Sequence, residues 1–259
     1  MSPVIADEDV LAAKAMVWQL QNWGVEMRGR FGGVTKEAWD EACDRMVKVK
    51  SVMLDHGVIS DAKMRDAGWI VPLLCLMGVD QTLFSLPIID VGCGPSTFVW
   101  DAYLRGIKPI VGIDMWVTPT LFPPSPTIQR VKSQVLDLGE LRAGLDSVVF
   151  PPGGLMICTE MVEHLSYNPL ASFVMIVERL KPRFLYITAP TPLNNDNAMS
   201  WRHYSDLPTY RGQRVRMSSW HVKGWTVDEL GELVYDLGFS DDDCFGGLSR
   251  VGWIGERRK

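Results

Sequence analysis

Two hydrophobic periods alternate along this chain. Short apolar runs occur at Ser85–Val91, Pro109–Ile113, Leu155–Thr159 and Phe184–Ala189. Each reads as a short strand. Between them lie segments of helical periodicity. Ser96–Arg105 closes at Gly106, Leu170–Leu180 follows the third run, and Trp225–Leu237 has Thr226 as N-cap and Gly238 as its stop. Two more strand candidates, Ser240–Phe245 and Val251–Glu256, end the chain. Strands alternating with helices and then a strand pair predict an α/β, doubly wound, mostly parallel sheet with an antiparallel edge.

The first eighty residues read differently. Asp7–Trp23 predicts a helix broken at Gly24, and Arg28–Gly33 a loop. Thr35 caps a long helix to about Asp55, ended by His56-Gly57. Along it Trp39, Ala42, Cys43, Met46, Val49 and Met53 recur at helical spacing. A third helix spans about Asp61–Leu76. These helices form a cap, residues 1–80, expected to pack against the sheet of residues 81–259.

Composition narrows the class. A hydrophobic fraction of 47% is ordinary for a globular chain with a sizeable core. No run reaches the roughly 18 to 20 apolar residues of a membrane span. The N-terminus has no basic region followed by an apolar stretch. The 5 cysteines are scattered without CxxC spacing, which speaks against structural zinc and for a reducing compartment. The expectation is a cytoplasmic protein with no membrane partner. A net charge of −5 offers nothing to nucleic acid globally, yet a basic patch appears late in the chain.

Chemistry first surfaces at Asp90-Val91-Gly92-Cys93-Gly94-Pro95-Ser96-Thr97-Phe98, where a strand opens into a Gly-x-Gly turn before a helix. Such a turn brings backbone amides close to a ligand. The next strand finishes in Asp114, placed to accept hydrogen bonds from ribose hydroxyls. The stretch Gly154–Pro169 then runs from a strand into Glu160, Glu163 and His164. At i, i+3 and i+4 on a helical turn the three would share a face and suit a divalent cation. A solvated helix N-terminus is the alternative. In a doubly wound sheet ligands bind beyond the carboxyl ends of the strands, the edge that carries all of these residues.

After Ala189-Pro190 a long irregular segment runs from Thr191 to about Gly224, longer than most connections. It holds Arg202, His203, Arg211, Arg214, Arg216, His221 and Lys223 with interleaved Trp201, Tyr204, Tyr210 and Trp220. Cations among aromatics suit a phosphate backbone and unstacked bases. The alternative is a solvated loop whose arginines pair with surface acids.

The Asp90–Phe98 sequence resembles motif I of class I S-adenosylmethionine-dependent methyltransferases. That resemblance implies a seven-stranded Rossmann-like sheet. It implies that Asp90 orients the methionine part, that Gly92 and Gly94 leave room for it, and that Asp114 holds the ribose. Cys93, Thr97 and Thr159 would line the cofactor. Asp137 would stand near the adenine, or be an ordinary cap residue. Glu160-x-x-Glu163-His164, together with His221 four residues before Trp225-Thr226, resembles the small-RNA 2′-O-methyltransferase family. The resemblance spans about Leu86 to Phe239. It implies a divalent ion, magnesium or manganese, held by Glu160, Glu163, His164 and His221, and an RNA partner with a free 3′ end. Arg202, Arg211, Arg214, Arg216 and Lys223 would contact the RNA, and His203 is a candidate to take the proton. The family's Arg-His pair stands close to the metal histidine, whereas Arg202-His203 lies well before His221. An insertion, Ser205–Trp220, accounts for that spacing. Competing functions are a quinone-type small-molecule O-methyltransferase, an RNA cap methyltransferase, and a degenerate scaffold that binds partners only.

Overall fold

The computed structural model describes residues 26–27, 45, 48–49, 51–58, 81–94, 97–115, 122–133, 137–165, 168–190, 224–240, 243–246 and 250–259. Four parallel pairings form its centre. Strands β2 (Ile88–Val91), β3 (Ile110–Asp114), β4 (Ile128–Lys132), β5 (Leu155–Thr159) and β6 (Phe184–Pro190) all point the same way. Every residue of β2, β3, β5 and β6 is buried, which is why these runs lack alternation. The outer strand β4 has a mixed pattern instead. Beyond β6, strands β8 (Arg250–Glu256) and β7 (Asp243–Gly246) add antiparallel. With a two-residue strand β1 (Glu26–Met27) at the far edge, the sheet order is β1-β7-β8-β6-β5-β2-β3-β4.

The expected α/β doubly wound sheet with an antiparallel edge is therefore present, and an eighth strand extends it. That strand, β1 (Glu26–Met27), comes from the region read as a helical cap and pairs with β7. Strand β4 and helix α2 (Leu138–Asp146) had no counterpart among the predicted elements. The Gln129, Arg130 and Lys132 side chains dilute the apolar run of β4, as befits a sheet edge. Residues Gln81–Ser85 form a 3₁₀ turn, so β2 begins three residues later than Ser85. Pro87, which has no N–H to give a ladder, separates the two.

The helices match their signals closely. Helix α1 (Thr97–Leu104) follows the glycine turn. Helix α3 (Leu170–Leu180) buries Phe173, Ile176, Val177 and Leu180 and ends on Lys181 in the left-handed conformation. Helix α4 (Val227–Asp236) starts on Thr226, whose hydroxyl accepts from the Glu229 N–H while the Glu229 carboxylate accepts from the Thr226 N–H. That reciprocal cap fixes where the chain re-enters the core. Among the described residues no helix is long and apolar enough to cross a membrane.

Part of the long helix expected from Thr35 to about Asp55 is among the described residues and packs on α1. Val49 and Met53 pack with Trp100 of α1, rather than on the sheet itself. The His56 ring lies 4.8 Å from that of Trp100. Arg45 donates through Nε and Nη2 to the two oxygens of buried Asp101, closing the contact with a bidentate ion pair. The remaining N-terminal helix predictions, including Asp7–Trp23 and Asp61–Leu76, lie outside the described residues.

Candidate active site

The sheet order reverses at β2, which stands between β5 and β3. A crevice opens at such a switch point, beyond the carboxyl ends of the strands. Asp90 at the end of β2, Asp114 at the end of β3 and Thr159-Glu160 at the end of β5 meet there, as their register shows. Asp90 pairs with Gly112 on one side and Ile157 on the other.

Asp90 is 1% exposed, and its Oδ2 has no hydrogen-bond partner among the described residues. Burial, and then the nearby Asp114 carboxylate, push its carboxyl well above the usual aspartate range. Such a carboxyl favours its neutral form, and a cation brought beside it would favour the charged one. The turn that follows is left-handed at Gly92 (φ 73°) and Gly94 (φ 49°). Gly92 and Cys93 donate to the Ile113 carbonyl at 2.8 and 3.3 Å, tying the turn to β3. The Gly94 N–H donates to Asp114 Oδ2 at 2.9 Å.

The two glycines serve different ends. A Cβ on Gly92 would run into the Met161 side chain, so a side chain has no room at that position. Among the described residues, a Cβ on Gly94 would meet nothing nearer than a backbone oxygen at 4.0 Å, so they leave space there. An orphaned buried carboxylate oxygen, open space at Gly94 and a second carboxylate at the next strand end fit a ligand with a cationic group and vicinal hydroxyls. Cys93 and Thr159 are buried at the same edge, and Thr97 is the first residue of α1. Asp137 caps α2, accepting from the Gly139 and Glu140 amides at 3.0 and 2.9 Å, the ordinary role its sequence position also allowed.

The Glu160–His164 stretch does not form the helical turn that its spacing invited. Glu160 leaves β5 with φ 51°, and a short 3₁₀ turn, Val162–His164, follows. A left-handed glutamate costs about 1–2 kcal/mol relative to glycine. Two contacts with β6 hold it in place. The Glu160 N–H donates to the Thr188 carbonyl, and the Thr188 hydroxyl donates to Glu160 Oε1, each at 3.2 Å. Glu163 is fully buried, whereas the His164 side chain is 39% exposed and its Nε2 lies 3.7 Å from Glu163 Oε1. Burial, then the carboxylates of Glu163, Asp90 and Glu160, push the Cys158 thiol well up, so these acids surround the end of β5.

Among the described residues, no three His, Cys, Asp or Glu side chains come together as a metal-ligand set. The 3₁₀ turn explains this physically: it sends Glu163 inward and leaves His164 at the surface. His221, the fourth implied ligand, lies outside the described residues, as do His203, Arg202, Arg211, Arg214, Arg216 and Lys223. The ends of that segment are fixed, however. The Trp225 N–H donates to the Pro190 carbonyl at 2.9 Å, so residues 191–224 are bracketed by two neighbours at the C-terminal edge of β6.

Sequence reasoning passed over Met161 and Thr188. A threonine inside the otherwise apolar run Phe184–Ala189 was a visible signal, since a buried hydroxyl requires a partner. Nothing in the sequence tied Met161 to Gly92.

No protein-family model matches the chain, and no curated protein matches it. Among solved structures, a S-adenosylmethionine-dependent methyltransferase from Archaeoglobus fulgidus is 16% identical with a TM-score of 0.43, over 66% of this chain and 86% of that one. One from Mesorhizobium loti is 14% identical with a TM-score of 0.42, over 67% and 91%. A small RNA methyltransferase is 16% identical with a TM-score of 0.42, over 67% of this chain but 23% of that chain. Similarity at this level leaves the chemistry to be read from the chain's own residues.

Proposed function

We propose that the protein is a S-adenosylmethionine-dependent methyltransferase. The observation that carries this reading is the pairing of Asp90 and Asp114 across a left-handed glycine turn at the switch point, with Gly94 bound to Asp114 Oδ2 at 2.9 Å. In this assignment the Asp90 carboxylate meets the ammonium of the cofactor's methionine part. Asp114 accepts from the ribose hydroxyls, and the open side of Gly94 receives the chain that joins them. Bound there, the cofactor supplies a sulfonium methyl group that is already activated, which leaves alignment and deprotonation to the protein.

The acceptor we propose is the 2′-hydroxyl of a 3′-terminal RNA ribose. Support comes from the resemblance carried by Glu160, Glu163, His164 and His221, and from the basic, aromatic segment that starts and ends at the same sheet edge. Glu160 would face the accepting hydroxyl, and His203 would take its proton. The divalent ion implied by the resemblance does not fit the described residues alone, because Glu160, Glu163 and His164 do not converge. No step is assigned to it. A quinone-type small molecule or a capped RNA end would use the same cofactor site.

Labelled S-adenosylmethionine, a divalent salt and RNAs ending in a 2′,3′-diol, a 3′-phosphate or a 3′-deoxy ribose test this reading. The expected result is label on the diol end alone. Label on none of the RNAs but on a phenolic quinone precursor would overturn the RNA assignment and keep the methyltransferase. Replacing His221 by Ala should abolish ion-dependent transfer and spare cofactor binding.

A further inference from the structure

Two described non-glycine residues have a left-handed backbone, Glu160 and Lys181, both at φ 51°. Lys181 is explained by its place: it terminates α3, where that conformation satisfies the last helical carbonyls. Glu160 ends a strand, and nothing about strand termination calls for it. Glycine would take the same turn without strain, and asparagine or aspartate with little. A long acidic side chain kept at such a position marks a group whose carboxylate is needed where the turn delivers it.

What holds the strained turn is on the neighbouring strand. Thr188 pairs with Thr159 in the parallel ladder and is fully buried. Its carbonyl takes the Glu160 N–H, and its hydroxyl donates to Glu160 Oε1, each at 3.2 Å. One residue thus fixes both the backbone and the carboxylate of Glu160. The isosteric choice for a buried strand position would be valine, which fills the same volume without a hydroxyl to satisfy. From this geometry we infer that Thr188 is the positioning residue of the acceptor side, setting the direction of the Glu160 carboxylate through its hydroxyl. The inference deepens the methyltransferase reading and rests on it for the meaning of "acceptor side". The Thr188–Glu160 coupling itself does not.

The test uses the full chain with Thr188→Val, Thr188→Ser, Glu160→Gln, Glu160→Ala, Glu160→Gly and the Thr188→Val/Glu160→Gln pair. Cofactor affinity is measured by calorimetry, turnover with diol-ended RNA, and stability by thermal melting. Thr188→Val should lower kcat about tenfold or more, the share of a hydrogen bond to a charged group, with cofactor affinity unchanged. Thr188→Ser should restore kcat. Glu160→Gly should melt about 2–4 °C above Glu160→Ala, since the turn is strained for any residue with a Cβ. In the pair, the second substitution should shift melting less than it does alone. A Thr188→Val enzyme as fast as wild type, or additive melting shifts, would overturn the inference. Melting coupling in a protein that binds no S-adenosylmethionine would leave Thr188 as the holder of Glu160 and sink the methyltransferase reading instead.

Discussion

Strands β2 and β5 end side by side and both leave the sheet through a left-handed residue, but they do it with different chemistry. At β2 the turn is made by Gly92 and Gly94, and the carboxylate proposed to meet the cofactor, Asp90, stays inside the strand. At β5 the carboxylate itself, Glu160, occupies the left-handed position. The first end is relaxed, and among the described residues there is space at Gly94 for the proposed ligand. The second is strained, and Glu160 takes its left-handed backbone with a side chain that Thr188 holds. The two are also interlocked, because Met161, which follows the strained glutamate, fills the space that Gly92 vacates. Moving one end therefore moves the other.

The largest effect expected from breaking this arrangement is on cofactor binding. Asp114→Ala removes the acceptor of the Gly94 amide and the proposed ribose contact together, and should weaken S-adenosylmethionine by about 100-fold. Melting should change far less. The comparison fails if Asp114→Ala and Glu160→Ala weaken the cofactor equally.

Next comes the interlock. Gly92→Ala places a methyl group against Met161 and strains the turn, for a loss of about 2–5 kcal/mol read by chemical denaturation. Gly94→Ala, with no described residue in the way of a methyl group, should lose only the strain, about 1–2 kcal/mol. Equal losses at the two positions would mean that Met161 is not the neighbour that matters.

The buried acid gives a pH signature. Asp90 has its carboxyl raised by burial and by Asp114, so the folded state binds its proton more tightly than the unfolded chain does. Its contribution to stability is full below the ordinary aspartate range and is lost as pH rises through the raised folded value. Asp90→Asn should flatten that part of the stability–pH profile and raise the melting temperature of the ligand-free protein at neutral pH. A cationic ligand reverses the sign. Cofactor affinity should rise with pH over the same window in wild type, with proton release in calorimetry, and this slope should vanish in Asp90→Asn. The smallest effect concerns the control position. Lys181→Gly should stabilise by about 0.5 kcal/mol with no change in cofactor binding.

The relaxed end was far more legible in the sequence than the strained one. A Gly-x-Gly alone is a weak signal, but strand, turn, helix, strand and terminal acid in that order make a strong one. Helix α3 and the cap of α4 were readable because caps and stops are local signals. Strand β4 was hidden by its edge position, which admits charge, and β1 by its two-residue length. At β5 the i, i+3, i+4 spacing of Glu160, Glu163 and His164 presupposed a helix. The strand instead ends in a left-handed residue and a 3₁₀ turn, held by contacts to Thr188 of the neighbouring strand, a pairing that spacing within the Glu160–His164 stretch does not reveal.

The central claim is that the β2 and β3 ends bind S-adenosylmethionine. Calorimetry on the full chain at neutral pH, wild type beside Asp114→Ala, tests it most directly. Saturable binding of one cofactor per chain, about 100-fold weaker in the variant, is the predicted result. An absence of binding in the wild type, or equal affinity in both proteins, would contradict it.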